Sequence, residues 1–218
     1  MKKAIFILGK FATLMWMVAR VTGLGGCKKL LDTRRQGSYD EESYPFPGGS
    51  GPYDQYLFGA YNDLRSFDVH VFAFIHATSI RSEDADKGST PADGGANSQQ
   101  MENFPVLPNN GYLNALWTGH YGLINKCNNT LYQIGTNTNI VASDQIKQQT
   151  AGEARFLRAY AYFNMVRLFG NVPLIDTFYL DPAAQNNIPQ STPAQLYPFI
   201  ENDLVFAASV LPLQWDVK

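Results

Sequence analysis

The sequence predicts an all-α protein of antiparallel helix pairs of the TPR type. Three observations lead there: two long segments with continuous apolar stripes, cap residues at their ends, and almost no alternating apolar and polar runs. In Tyr53 to Phe67, the residues Tyr53, Leu57, Ala60, Tyr61, Leu64 and Phe67 recur at three- and four-residue steps, and Pro52 suits a first helical position. Asp68 to Ile80 is apolar with a mixed period, compatible with a helix or a strand and read as a helix from its neighbours. Residues 81–110 are rich in Gly, Pro, Asn and Ser and read as a long structureless insert, which in a compact domain is more often functional or mobile than accidental.

Tyr112 to Ile134 carries the cleanest stripe, formed by Leu113, Leu116, Trp117, His120, Tyr121, Ile124, Cys127, Leu131 and Ile134. His120 on that stripe reads as a core histidine and Cys127 as a small buried thiol. Ser143 or Asp144 then caps a longer helix running to Phe169, stopped by Gly170. Two stripes mark it as buried between two neighbours: Ala154, Leu157, Ala161, Met165 and Leu168, and Phe156, Ala159, Phe163 and Val166. Ala159 and Phe163 fit the A-x3-F element of TPR repeats. Glu153, Arg155, Arg158 and Arg167 occupy its more polar side and read as partners for the helix carrying Asp203, or for loop carbonyls. Val172 to Ile175 is the best short strand. A capping pair at Thr192 and Gln195 with Pro193 opens a last helix through Leu211, within which Pro198 marks either an early kink or a later start.

Composition narrows the function. The 218 residues are 45% hydrophobic, with 17 basic against 19 acidic side chains, so no basic excess marks a nucleic-acid surface. Three His and two Cys cannot supply a His/Cys zinc cage of standard spacing. GxSxG, HExxH, Walker and dinucleotide motifs do not occur. Glu83, Asp84 and Asp86 lack the Gly and Glu that an EF-hand needs at its sixth and twelfth positions, and a loop run of acids fixes no carboxylate separation for glycoside hydrolysis. No catalytic residue, metal site or cofactor is expected.

Residues 1–26 lack Asp and Glu, carry Lys2, Lys3, Lys10 and Arg20, and have a largely apolar middle, the pattern of a secretory signal peptide despite the charges inside its apolar stretch. Its removal leaves 13 basic against 19 acidic residues. Leu24-Gly25-Gly26-Cys27 resembles the lipobox of bacterial lipoproteins, which implies acylation of Cys27 and a membrane anchor. The competing reading is a Cys27–Cys127 disulfide. Residues 27–52 read as a lipidated tether and 53–218 as the helical domain.

Gly152 to Ile175 (GEARFLRAYAYFNMVRLFGNVPLI) resembles the signature of the SusD/RagB family of outer-membrane nutrient-binding lipoproteins. Four further blocks agree in order: CKKLLDT from Cys27, SIRSEDAD from Ser79, LWTGHYGLINKCNNTL from Leu116, and TPAQLYPFIENDLVFAASVLP from Thr192. The resemblance covers a SusD-like N-terminal domain, incomplete at its C-terminus relative to the longer family chains. It implies a non-enzymatic surface lipoprotein of the outer membrane that binds oligosaccharide and serves a SusC-like TonB-dependent transporter. Sugar rings stack on aromatics while amides and hydroxyls fix their orientation. The candidate ligand contacts from the polar insert and its edge are Asn109, Asn110, Tyr112 and Trp117, with Trp117 also readable as core.

Overall fold

A computed structural model describes residues 51–214, apart from Glu83, Ser89, Pro91, Ala92 and Gly94. The signal segment, Cys27, the tether before Gly51 and Glu83 lie outside the described residues. After a 3-10 turn at Gly51–Tyr53 the chain forms α1 (Asp54–Leu64) and then α2 (Phe72–Ile75), which continues as a π-helical turn over His76–Ile80. There follow α3 (Gly95–Glu102), α4 (Gly111–Thr136), α5 (Asp144–Phe169) and α6 (Pro193–Val210). Between α5 and α6, β1 (Val172–Pro173) pairs antiparallel with β2 (Gln190–Ser191), in the register Val172 opposite Ser191. Among the described residues no helix is long and apolar enough to cross a membrane.

The caps act as the sequence predicts. Ser143 Oγ accepts from Ile146 N at 3.3 Å, Gly170 ends α5 at φ +75°, and Gln195 Oε1 reaches back to Thr192 N at 2.9 Å. Pro198 lies inside α6, which nevertheless starts at Pro193. It sits close to the N-terminus, so only an early ladder bond is lost. The polar insert departs from expectation because α3 forms within it.

The long helices are stacked antiparallel, with α5 in the middle. Trp117 meets Phe169 and Asn128 meets Arg158, so α4 and α5 run in opposite directions. Along α6 the partners of Gly152, Arg158 and Tyr162 are Val210, Asp203 and Phe199, in falling order. Leu57, Leu123, Ile124, Leu157, Met165, Leu196 and Ile200 form one buried core with Ala154, Ala159 and Ala161, whose small side chains allow close helix approach. His120 is fully buried, its Nδ1–H donating to Leu116 O at 2.7 Å, and burial lowers its pKa. Cys127 is buried and free, and burial pushes its thiol up to about 12.

Two expectations for α5 require correction. Phe156 and Phe163 are 47% and 40% exposed, so the second stripe is buried only at Ala159 and Val166. The guanidinium of Arg167 lies 5.0 Å from the Phe163 ring centroid and covers part of it. Arg158, expected on the polar side, is 4% exposed and forms a fork onto Asp203, through Nε at 2.8 Å and Nη2 at 2.9 Å. Its Nη1 donates to Asn128 Oδ1 and Asp176 O. Arg155 stands 3.7 Å from the same carboxylate and over Phe206. The expected ion pairing with the Asp203 helix is present, at a buried position.

The segment after Gly170 is held by side chains from both long helices. Tyr121 donates to Pro173 O, Asn128 to Ile175 O and Thr177 O, and the Tyr162 hydroxyl accepts from Ile175 N at 2.7 Å while donating to Ile175 O. Buried polar groups of this segment are thereby paired. The hairpin is pinned, and it carries the chain back to start α6 antiparallel to α5.

Candidate functional site

The described part of the polar insert folds into a compact corner where α2, α3 and the N-terminus of α4 meet. Asn110 makes the corner. Its Oδ1 accepts from Tyr112 N at 2.9 Å, capping α4, and its Nδ2 donates to Asn97 O and Gln100 Oε1. Asn97 Oδ1 in turn accepts from Gly111 N at 3.0 Å, and a Cβ on Gly111 would stand 2.8 Å from Asn97 Nδ2, so this approach suits glycine. Further along the insert, Lys87 N donates to Glu102 Oε2 and Lys87 Nζ to Thr90 O and Asp93 O. Arg81 donates to Phe104 O and lies over its ring, where Phe104 takes φ +71°. That left-handed backbone is uncommon for a bulky residue.

An aromatic edge lines this corner. The rings of Phe67 and Phe72 are nearly parallel at 12° with centroids 5.1 Å apart, and they are 54% and 39% exposed. Phe72 meets Tyr112 edge-on at 5.4 Å and His76 at 4.2 Å, and His76 lies 4.7 Å from Tyr112. A partly exposed row of flat apolar faces therefore leads to Tyr112, and Asn109, three residues earlier in the chain, is exposed. Apolar faces flanked by a few fixed polar groups suit the C–H faces and hydroxyls of a sugar.

The four residues read from sequence separate here. Asn109 is exposed and Tyr112 half-buried at the edge. Asn110 is 0% exposed with its amide committed to the cap, so its expected ligand contact is corrected to a role in shaping the corner. Trp117, more than a turn further along α4, meets Phe169 at 5.1 Å and 84° and Tyr121 at 5.1 Å, packed on the core. Its core reading prevails. Sequence reasoning missed Phe67, Phe72, His76, Asn97 and Ser98. The i, i+4 spacing of Phe72 and His76 was the available signal. Asp84 and Asp86 are exposed, Glu102 and Asp93 accept from the Lys87 and Thr90 backbone, and among the described residues no group of three His, Cys, Asp or Glu is placed to hold a metal.

Away from this corner, a concavity of about 460 Å³ lies between α1, the 65–71 connection and α5. Leu64, Val71, Phe156 and Leu157 line it, with Arg65 and the His70–Tyr160 pair, joined at 2.7 Å.

Helix pairs of TPR-like type, with an aromatic corner at the head of α4, define the class as an all-α helix-pair protein. The chain belongs to the SusD-like family: the family model described as "Starch-binding associating with outer membrane" matches residues 71–218. A SusD-like protein P2 of Formosa agariphila is 30% identical over 134 residues, which make up 61% of this chain and 25% of that protein. A laminarin-binding SusD-like protein superposes with a TM-score of 0.63 at 29% identity, covering 73% of this chain and 34% of that one. A structure solved with xylogluco-oligosaccharide gives 0.59 at 26% identity, covering 75% and 30%. The chain thus spans about a quarter of its curated relative and about a third of these solved structures.

Proposed function

We propose that the chain is the helical N-terminal part of a cell-surface lipoprotein that binds oligosaccharide without cleaving it and delivers it to a SusC-like TonB-dependent transporter of the outer membrane. The lipobox-like sequence ending at Cys27 supports an acyl anchor, and the names of the laminarin and xylogluco-oligosaccharide structures support a glucan ligand. The observation that carries the reading is the partly exposed row Phe67–Phe72–Tyr112, with Asn109 exposed at the same helix start. Tyr112 gives the ring face and Asn109 the amide, while Asn110 holds both in place. Calorimetry of the full chain with laminarin and xylogluco-oligosaccharides is expected to show binding that Tyr112→Ala weakens at least tenfold, about 1.4 kcal/mol. No reducing sugar should be released. Turnover, or affinity unchanged by Tyr112→Ala, contradicts the proposal.

A second reading, a protein-binding scaffold that takes no sugar, is favoured by one observation, the apolar cleft beside Phe156. It predicts a silent calorimeter for every sugar and partner binding lost on Phe156→Ser.

A further inference from the structure

Tyr112 does not end in a free hydroxyl. Its oxygen lies 2.9 Å from Ser98 Oγ, and Ser98 Oγ lies 3.3 Å from His76 Nε2. Ser98 is 1% and His76 8% exposed, so the inner end of this chain is shielded from water. The three side chains come from three segments: the π-helical turn, α3 and the first turn of α4. Ring contacts of Phe72 with His76 and of His76 with Tyr112 fix their orientations.

The direction of the protons follows from the inner end. Phe72 O stands 2.9 Å from His76 Nδ1, and a carbonyl oxygen only accepts, so Nδ1 carries the hydrogen. In the neutral imidazole Nε2 is then a bare acceptor. The Ser98 hydroxyl must donate to it. Having one proton, Ser98 presents only lone pairs towards Tyr112, and the phenol must therefore donate inward. What Tyr112 has left for a ligand is a half-buried ring and oxygen lone pairs, with no proton to give.

We propose that His76 and Ser98 are positioning residues that make Tyr112 a hydrogen-bond acceptor alone. The site then selects a carbohydrate with a free hydroxyl facing Tyr112 and rejects the same sugar O-methylated or O-acetylated there. An ether or ester oxygen has no proton to give, so two sets of lone pairs would face each other in the bound state, and an unmade bond of this kind is costly. The inference rests on the reading that sugar meets Tyr112. It adds which chemical form of the sugar is admitted and which hidden residues decide it.

Two measurements on the full chain above neutral pH test it. The first needs no ligand: in the Raman difference spectrum of wild type minus Tyr112→Phe, the tyrosine doublet reports whether the phenol donates or accepts. A donating phenol is expected in the wild type, lost in Ser98→Ala and restored in Ser98→Thr, which returns the hydroxyl. The second is calorimetry with laminarin and xylogluco-oligosaccharides bearing a single O-methyl group at each hydroxyl in turn. One methylated position should bind about tenfold more weakly to wild type and Ser98→Thr, and less than about twofold more weakly to Ser98→Ala, whose released phenol proton can turn outward. If Ser98→Ala loses helix signal, Ser98→Cys replaces it, with a weaker donor of similar size.

A wild-type phenol that accepts, or discrimination unchanged in Ser98→Ala, overturns the relay while sugar binding stands. Wild-type affinity of Tyr112→Phe for every probe, with Tyr112→Ala also unchanged, overturns the sugar contact and the inference together.

Discussion

Arg158→Ala is expected to cost the bundle about 3–5 kcal/mol, the largest loss from any single substitution considered. The guanidinium joins three elements at once. It forks onto Asp203 of α6, donates to Asn128 of α4 and to Asp176 O after β1, and lies 4.8 Å over the ring of Phe199. Truncation leaves Asp203, 2% exposed, with only the more distant Arg155 at 3.7 Å, and strips Asn128 Oδ1 and Asp176 O of their donor. An uncompensated buried carboxylate is what makes breaking such a pair costly, whereas exchanging both members for apolar groups is often close to neutral. Urea denaturation should therefore show a large fall in midpoint for Arg158→Ala and partial recovery in the double variant Arg158→Met with Asp203→Leu. Arg158→Lys should recover little, because an ammonium cannot form the planar fork. A loss below about 1 kcal/mol, the range of surface pairs, would mean the pair is solvated.

Gly119→Ala should destabilise by about 1–3 kcal/mol although helix propensity argues the opposite way. In an exposed helix interior alanine is favoured over glycine by about 1 kcal/mol. At Gly119, however, a Cβ would stand 2.8 Å from Asp68 Cβ and 3.0 Å from both Asp68 C and O. Two of those atoms are backbone and cannot rotate away. The 65–71 connection would have to move, and with it Val69, which is fully buried, and Phe67 at the aromatic edge. The same substitution at Gly135, where nothing lies within 4 Å, isolates the propensity effect and is expected to be neutral or stabilising. Thermal unfolding of the two variants separates packing from propensity. Equal shifts would show that α4 and the connection are not in close contact.

Much of this architecture was legible because the long helices announce themselves locally. The stripe of α4, the Ser143 and Thr192 starts and the Gly170 stop each rest on contacts within a turn or two of chain, and local chemistry determines them. The nature of the burial was less legible. Arg158 reads as a surface charge until Asp203, 45 residues away, supplies its partner, and periodicity carries no information about such pairing. Phe156 and Phe163 read as core by the same rule and are half exposed, because an apolar side chain on a helix reports suitability for burial and not the presence of a neighbour.

The site shows the same division. Tyr112 and Asn109 are legible as candidates because a polar insert meeting a helix start is a recognisable place for binding, and both stand at least partly exposed there. Ser98 was missed because the groups its hydroxyl touches, Tyr112 and His76, lie 14 and 22 residues away, and it sits in a segment with no helical stripe of its own. Asn110 reads from its chemistry as a ligand contact, but its amide is spent within the corner, the oxygen capping α4 and the nitrogen donating to Asn97 O and Gln100 Oε1.

The most direct test of the central claim, that the Phe67–Phe72–Tyr112 edge holds the sugar, is a titration of the labelled full chain with xylogluco-oligosaccharide, read by amide and aromatic chemical shifts. The account predicts saturable shifts concentrated at Phe67, Phe72, Asn109, Gly111 and Tyr112, with Phe156 and Tyr160 unmoved. Shifts confined to the cleft beside Phe156, or none at saturating sugar, would contradict it.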